Sequence, residues 1–336
     1  ERRLFYVALT RARKGVYISY PSVREDGREL FPSQFIEEIG GAHKVLGNSE
    51  IYERGLENNP KIFFVNRKEI RLQEDERDFL REVFEKRGLS PTALNNYIEC
   101  PWKYFYNNLL QIPRAKTKHE MYGTAVHAAL KNLFDNLSGG QSYLLSRFEH
   151  ALGREPISAH DFKESLAKGK ETLTKYSENY NGKWHTNTVN ELAVKNVFLD
   201  GEVRLTGKID KIEILSGGEV NVVDYKTGKR RTRNEIEGKT KTAKGNEKRQ
   251  LVFYKLLLNK LPDSSYVMTS GEIDFVEPEK KTGKFYKEKF EISEDDVREL
   301  EYKIQDVTAE ILGFSFWNER CQIKGCNYCK LRDSTV

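Results

Sequence analysis

The stretch NVVDYKTGKR, residues 221–230, places an aspartate and a lysine two positions apart, Asp224 and Lys226, where an apolar extended run ends. On a strand, side chains at i and i+2 project from the same face. The preceding run GKIDKIE offers a second carboxylate, Asp210. Two carboxylates aimed into one small volume repel each other unless a cation sits between them. An oxygen-rich site of that kind suits Mg2+ or Mn2+. Such an ion binds a phosphate oxygen and acidifies a water. A lysine beside it orients that water or stabilises the charge on a pentacovalent phosphate. An ion pair at a strand end, with no catalytic duty, is the plainer reading of DYK taken alone.

Further residues stand where they could serve the same chemistry. His127 lies in GTAVHAALKNLF, a helical pattern with apolar neighbours. A lone histidine there is ordinarily a core residue; as an imidazole ligand it would favour Mn2+ alongside the carboxylates. Gln250 and Tyr254 are spaced i and i+4 on one helix face, within reach of a substrate or of the lysine. Glu191 opens a strand pattern and is a weaker candidate acid.

The four cysteines follow the pattern C-x220-C-x4-C-x2-C: Cys100, then Cys321, Cys326 and Cys329. Three thiolates within nine residues can share one soft centre, and a fourth from a distant segment completes four-fold ligation. The ligand set suits a [4Fe-4S] cluster or Zn2+, and the residues alone do not separate the two. With no secretory signal at residue 1, a disulfide framework is the less favoured use.

These groups need elements to hold them. A basic helix over the first residues should run into a strand, GVYISY. Pro32 and Ser33 signal a helix start. Residues 41–60 read as a linker and KIFFVNRKEI as a short strand. EDERDFLREVFEKR predicts an amphipathic helix with Phe79, Val83 and Phe84 on one side. Ser90 and Pro91 open the next helix, MYGTAVHAALKNLF gives another, and residues 160–180 a third. After residue 190 the hydrophobic period changes to two. Strands are predicted in ELAVKNVFL, EVRLTGKIDKIEIL and EVNVVDYKT, the last two joined by a Gly217-Gly218 turn. Helix NEKRQLVFYKLLLNK, strands YVMTSGEIDFVE and KFYKEKFEI, and a helix capped by Ser293 complete the order.

The chain has 336 residues and net charge +5 at pH 7, and no apolar run approaches a membrane span. Residues 226–249 hold ten Lys or Arg against three Glu. That density suits a phosphate backbone, with Lys229, Arg230, Arg231 and Arg233 as contacts, and equally a solvated loop.

Together, GTAVH, GKID, VVDYKTG and QLVFY, in this order and spacing, resemble the RecB/AddB-type branch of the PD-(D/E)XK nucleases over about residues 89–336. The resemblance implies an α/β fold, a mixed sheet flanked by helices with its ends stapled by the cysteines. It implies metal ligation by His127, Asp210, Asp224 and the backbone carbonyl of Tyr225, with Lys226 catalytic and Gln250 and Tyr254 forming a Q-x-x-x-Y motif. It also implies a [4Fe-4S] staple and hydrolysis of phosphodiester bonds in DNA, commonly from single-stranded ends. ERRLFYVALTRARKGVYIS resembles motif VI of UvrD/Rep-type superfamily 1 helicases, where the position of Arg11 reaches the ATP γ-phosphate. No G-x-x-x-x-G-K-[ST] occurs; GKT at 238–240 fails because Arg233 stands at the first glycine position. The expected organisation is a helicase remnant at 1–40, a connecting segment at 41–88 and a nuclease domain at 89–336. The expected parent is a cytoplasmic, DNA-associated helicase–nuclease. Its own upstream helicase domains, DNA and an unspecified second subunit are its expected partners, and no membrane is involved.

Overall fold

The computed structural model describes residues 2–23, 28–51, 53–54, 72–262 and 264–334. The chain divides into two compact units, Glu1–Lys68 and Glu69–Val336. In the first, helix α1 (Arg2–Thr10) is tied to the turn after Ser33 by a two-pronged pair, Arg2 donating to Glu38 at 2.7 and 2.6 Å, and by the rings of Phe5 and Phe35, 5.8 Å apart. The strand expected at residues 15–20 does not form. A strand needs a neighbour for its backbone N–H and C=O groups. No ladder reaches this run among the described residues, and Val16, Tyr17, Ile18 and Tyr20 stay exposed. The strand expected in KIFFVNRKEI lies outside the described residues.

In the second unit, helix α2 (Glu74–Arg87) begins with a capping box between Gln73 and Glu76. Its inward stripe is Leu80 and Phe84, spaced i and i+4, rather than one led by Phe79, which is 60% exposed. Helix α3 (Pro91–Glu99) starts as expected, with Ser90 Oγ accepting from the Ala93 N–H, and delivers Cys100 at its end. Helix α4 (Lys118–Asp135) carries His127 and is opened by a Thr117–Glu120 capping box. Helix α5 (Gly140–Gly153) was not anticipated in sequence; it turns Leu144, Phe148 and Leu152 inward at i, i+4 and i+8. Helix α6 (Ala159–Tyr180) is capped by Ser158.

Five strands follow: β1 (Thr188–Leu199), β2 (Val203–Ile214), β3 (Glu219–Lys226) and, after helix α7 (Asn246–Lys260), β4 (Val267–Phe275) and β5 (Tyr286–Glu291). They form one mixed sheet in sequential order, with β3 and β4 parallel and the other pairs antiparallel. Strand β3 is covered on both faces. Its Val220 and Val222 face a core containing α7, while Val223 and Tyr225 face one built from α4, α5 and α6. Buried parallel strands of this kind read as continuous apolar runs, which is why VNVVDY lacks alternation. Helix α7 lies close to the sheet because Gly207 has no side chain: a Cβ there would stand 2.4 Å from Leu257 Cδ1. Helices α8 (Glu294–Gly313), capped by Ser293, and α9 (Asn327–Ser334) complete the unit. The mixed sheet flanked by helices is the architecture expected from sequence.

Candidate active site

The β2–β3 ladder ends at Lys211↔Val223, although both strands continue toward the site. Asp210 occupies the place of the next rung. Its Oδ2 accepts the Tyr225 backbone N–H at 3.0 Å, so a carboxylate replaces a strand carbonyl. Its Oδ1 lies 3.2 Å from His127 Nδ1, reached from α4. On β3, Asp224 and Lys226 share a face as the two-residue spacing requires, and Lys226 Nζ lies 2.7 Å from Asp224 Oδ2. From α7, Gln250 Oε1 accepts from Lys226 at 3.0 Å, and Gln250 Nε2 donates to Tyr254 OH at 2.6 Å. Tyr254 donates to Asp224 Oδ1 at 3.3 Å. The ring of four residues closes. Glutamine can take this place because one side chain both accepts from an ammonium and donates to a hydroxyl.

All six side chains line one cleft of about 870 Å³, together with Thr92, Lys195, Lys208 and Thr227. Asp224 is 2% exposed, and its Oδ2, close as it is to Lys226, has no partner in hydrogen-bond geometry. Burial and then the neighbouring Asp210 charge raise the Asp224 carboxyl above its ordinary value, against the pull of Lys226 and His127. At Asp210 burial acts the same way, but the His127 imidazole and the Tyr225 N–H outweigh it and hold the carboxyl below its ordinary value. Burial opposes the proton on His127; Asp210 and Asp224 restore it and raise the imidazole. Two adjacent carboxylates, one with an orphaned buried oxygen, beside an imidazole form a donor set that fits a hard divalent cation. The fit is looser than at the cysteines. Among the described residues, only the four thiols have ligand atoms all within 4.8 Å of one another. Here each carboxylate is turned to a protein cation instead, Asp210 to His127 and Asp224 to Lys226.

Sequence reasoning missed the cleft wall from the first hairpin. Strand β1 is irregular between Val194 and Val197, with Asn196 at φ 58°. A bulge re-aims side chains, and Lys195 lines the cleft. The signal available in sequence was the basic alternation of Lys195 with Lys208 across a hairpin. Glu191 does not line the cleft; it is held at φ 54° and pairs with Lys208 at 2.8 Å. The basic run is largely satisfied within the protein. Arg230 lies over the Tyr286 ring at 3.6 Å and pairs with Glu279 at 3.3 Å; Arg231 pairs with Glu247 at 2.8 Å. Arg233 lies over Phe290 at 4.2 Å and donates to the Lys289 carbonyl at 2.9 Å. Lys229 is exposed and has no ion pair among the described residues. In the other unit, Arg11 is exposed.

The four cysteines meet, as their spacing suggested. Cys100 Sγ lies 3.7 Å from the sulfurs of both Cys329 and Cys326, and Cys329 lies 3.6 Å from Cys321; none is in a disulfide. Trp102 donates to the Glu319 carbonyl, Asn107 to Tyr328 and Tyr97 to Glu310, so the two ends of the unit are joined around them.

Fold and site together define a nuclease-fold domain. The chain belongs to the PD-(D/E)XK nuclease superfamily, whose family model matches residues 88–334. Among solved structures, a protein from Eubacterium rectale provisionally assigned as an exonuclease is similar, at 11% identity and TM-score 0.44, over 78% of this chain and 93% of that one. LHK-Exo in complex with dAMP is similar at 11% identity and TM-score 0.31, over 70% and 96%. No curated protein matches the chain. Among the described residues, no helix is long and apolar enough to cross a membrane.

Proposed function

We propose that the unit from Glu69 onward is a metal-dependent deoxyribonuclease that hydrolyses phosphodiester bonds, preferentially in single-stranded DNA. The observation that carries this reading is the closed ring of Asp224, Lys226, Gln250 and Tyr254 beside the His127–Asp210 pair. An Asp–Lys pair of purely structural use would not need its lysine fixed by a second element. Asp210, Asp224, His127 and the Tyr225 carbonyl would hold Mg2+ or Mn2+, which supplies Lewis acidity and an acidified water. Lys226 keeps its proton: burial works against it, but the Asp224 charge raises the ammonium above its ordinary value. It therefore acts as a fixed positive charge toward a phosphate, with Gln250 setting its direction. Tyr254, far too weak an acid in this buried place to ionise, orients Asp224. Lys195 and Lys208 flank the cleft and suit a strand's phosphates.

The likeness of ERRLFYVALTRARKGVYIS to motif VI supports placing this chain in a helicase–nuclease of DNA repair or recombination, with Arg11 serving ATP only alongside upstream motor domains. The test is cleavage of end-labelled single-stranded DNA with Mg2+ or Mn2+, with and without chelator, comparing the native chain with Asp224→Ala. Cleavage by the native chain alone supports the reading; equal cutting by both removes it.

A further inference from the structure

We propose that Arg249, with Lys244 and Lys303, binds a second phosphate of the DNA strand, beside the catalytic cleft and outside it; this rests on the nuclease reading above. Other cations of the basic run are paired with carboxylates: Arg230 with Glu279, Arg231 with Glu247, Lys239 with Glu237 and Lys248 with Asp296. Arg249 is held differently. Its Nη1 donates to Asn95 Oδ1 at 2.6 Å and to Asn246 Oδ1 at 3.1 Å, and its Nη2 donates to the Lys244 carbonyl at 2.7 Å. Three neutral acceptors, from α3, from α7 and from the loop before it, fix the guanidinium without a carboxylate. Burial pulls it below its ordinary value, and the Glu247 charge that works the other way is already engaged by Arg231 at 2.8 Å. A half-buried cation that is held in place but not neutralised is arranged for an anion from outside the chain. The planar, always-charged guanidinium suits phosphate.

Arg249 lines a hollow of about 340 Å³ together with Lys244 and Lys303, two exposed lysines with no ion pair among the described residues. Of the acids on its wall, Glu237 is taken by Lys239 at 2.8 Å and Asp296 by Lys248 at 3.0 Å, which leaves Glu299 against three cations. Loop 239–244 is pinched at its base, where a Cβ on Gly238 would stand 2.8 Å from the Gly245 backbone nitrogen; this fold-back carries Lys244 to Arg249. The catalytic cleft adjoins the hollow. Successive residues of a helix point about 100° apart, so Gln250 reaches the cleft and Lys226 while Arg249 turns to the hollow. On α3, Thr92 and Asn95 share a face at i and i+3; Thr92 lines the cleft and Asn95 holds Arg249. A strand with its scissile phosphate at Lys226 therefore presents a phosphate further along its backbone to Arg249. Such a contact sets the strand's register over Lys226 without reading its bases.

The experiment measures binding of a fluorescent single-stranded oligonucleotide in chelator at stepped salt, beside the cleavage assay with Mg2+ or Mn2+. A set of the same oligonucleotide carries one uncharged methylphosphonate linkage, moved position by position. Arg249→Gln should weaken binding about tenfold, the loss of one hydrogen-bonded charge, and lower the salt slope by about 0.7, the share of one phosphate on a single strand. Lys303→Gln should lower the slope in the same direction. The native chain should lose affinity when one linkage outside the cut bond is neutralised, and Arg249→Gln should lose nothing further at that linkage. An arginine that only clamps α3 to α7 would change melting and leave the slope alone. An unchanged slope in both variants, or equal penalties at every linkage in the native and Arg249→Gln chains, overturns the proposal while native cleavage stands. A native chain that neither binds nor cuts overturns the nuclease reading with it. Lys303→Gln, a change at an exposed residue, decides the matter if Arg249→Gln does not fold.

Discussion

Lys226 Nζ lies 3.0 Å from Gln250 Oε1, joining the end of a strand to a helix that begins twenty residues further along the chain. The basic run lies between them, so the ammonium is held by a side chain beyond the run. This contact makes Gln250 a positioning residue. Gln250→Leu should lower the single-turnover rate on labelled single-stranded DNA by about tenfold, the cost of one lost hydrogen bond to a charged group. Gln250→Glu, which still accepts from the lysine, should recover part of that loss. If the two variants behave alike, the amide does not direct the lysine.

Asp224→Ala should lower cleavage by roughly 10³-fold, equivalent to losing several kcal/mol of Lewis-acid stabilisation. Stability without the ion should change little. The carboxyl is raised on folding, so its ionised form opposes the fold once the pH passes the unfolded value. In chelator at neutral pH, Asp224→Asn relieves that cost but strips Lys226 of the charge that holds its proton, so it should melt close to the native chain, and it should lose the stabilisation by added Mn2+. Calorimetry with and without the ion checks both.

A second buried polar cluster lies on the other side of β4. Asp274 is 0% exposed, accepts from Tyr176 at 2.6 Å and lies 2.9 Å from Lys287, which also pairs with Glu272 at 3.0 Å. Removing one partner of a buried pair costs about 3–5 kcal/mol. Asp274→Ala should therefore lower the unfolding free energy, read from urea curves, by that much while leaving cleavage measurable below the melting temperature. Loss of cleavage in a folded variant would place Asp274 in the reaction.

The cap of α4 should be acid-sensitive. Arg114, then the Thr117 N–H, hold Glu120 down to about 2. A depressed carboxyl contributes stability above its unfolded value and loses it as the pH falls toward about 2. The pair is largely solvent-exposed, so the contribution is below about 1 kcal/mol. Glu120→Gln should flatten the stability profile across that window, as read by urea unfolding at stepped pH.

Lys229→Ala should weaken single-strand binding and reduce the salt slope by about one unit. Arg230→Ala should instead act on stability, because Arg230 is engaged with Tyr286 and Glu279. Binding titrations at stepped salt, beside melting curves, separate the two.

The site was legible because its spacings are short. DYK reports a strand face, and Q-x-x-x-Y reports a helix face. Where the ladder parts was not legible, since nothing in GKID says that Asp210 will take a backbone N–H. Arg230 looked free because its partners, Glu279 and Glu288, lie about fifty to sixty residues away around the β4–β5 hairpin. GVYISY had strand composition without a neighbour to pair with among the described residues. Helix α5 did leave a mark, Leu144, Phe148 and Leu152 at one spacing, but the glycines at 139, 140 and 153 weaken its helical pattern.

At Tyr225 the fold lets a titratable oxygen do the work of a main-chain one. A single atom, Asp210 Oδ2, is thus both rivet and electrode. Whatever drains its charge loosens a seam of the sheet, and whatever pries at that seam shifts the charge. Mechanics and electrostatics cannot be tuned separately here, so a designer wishing to alter either must begin at residue 210.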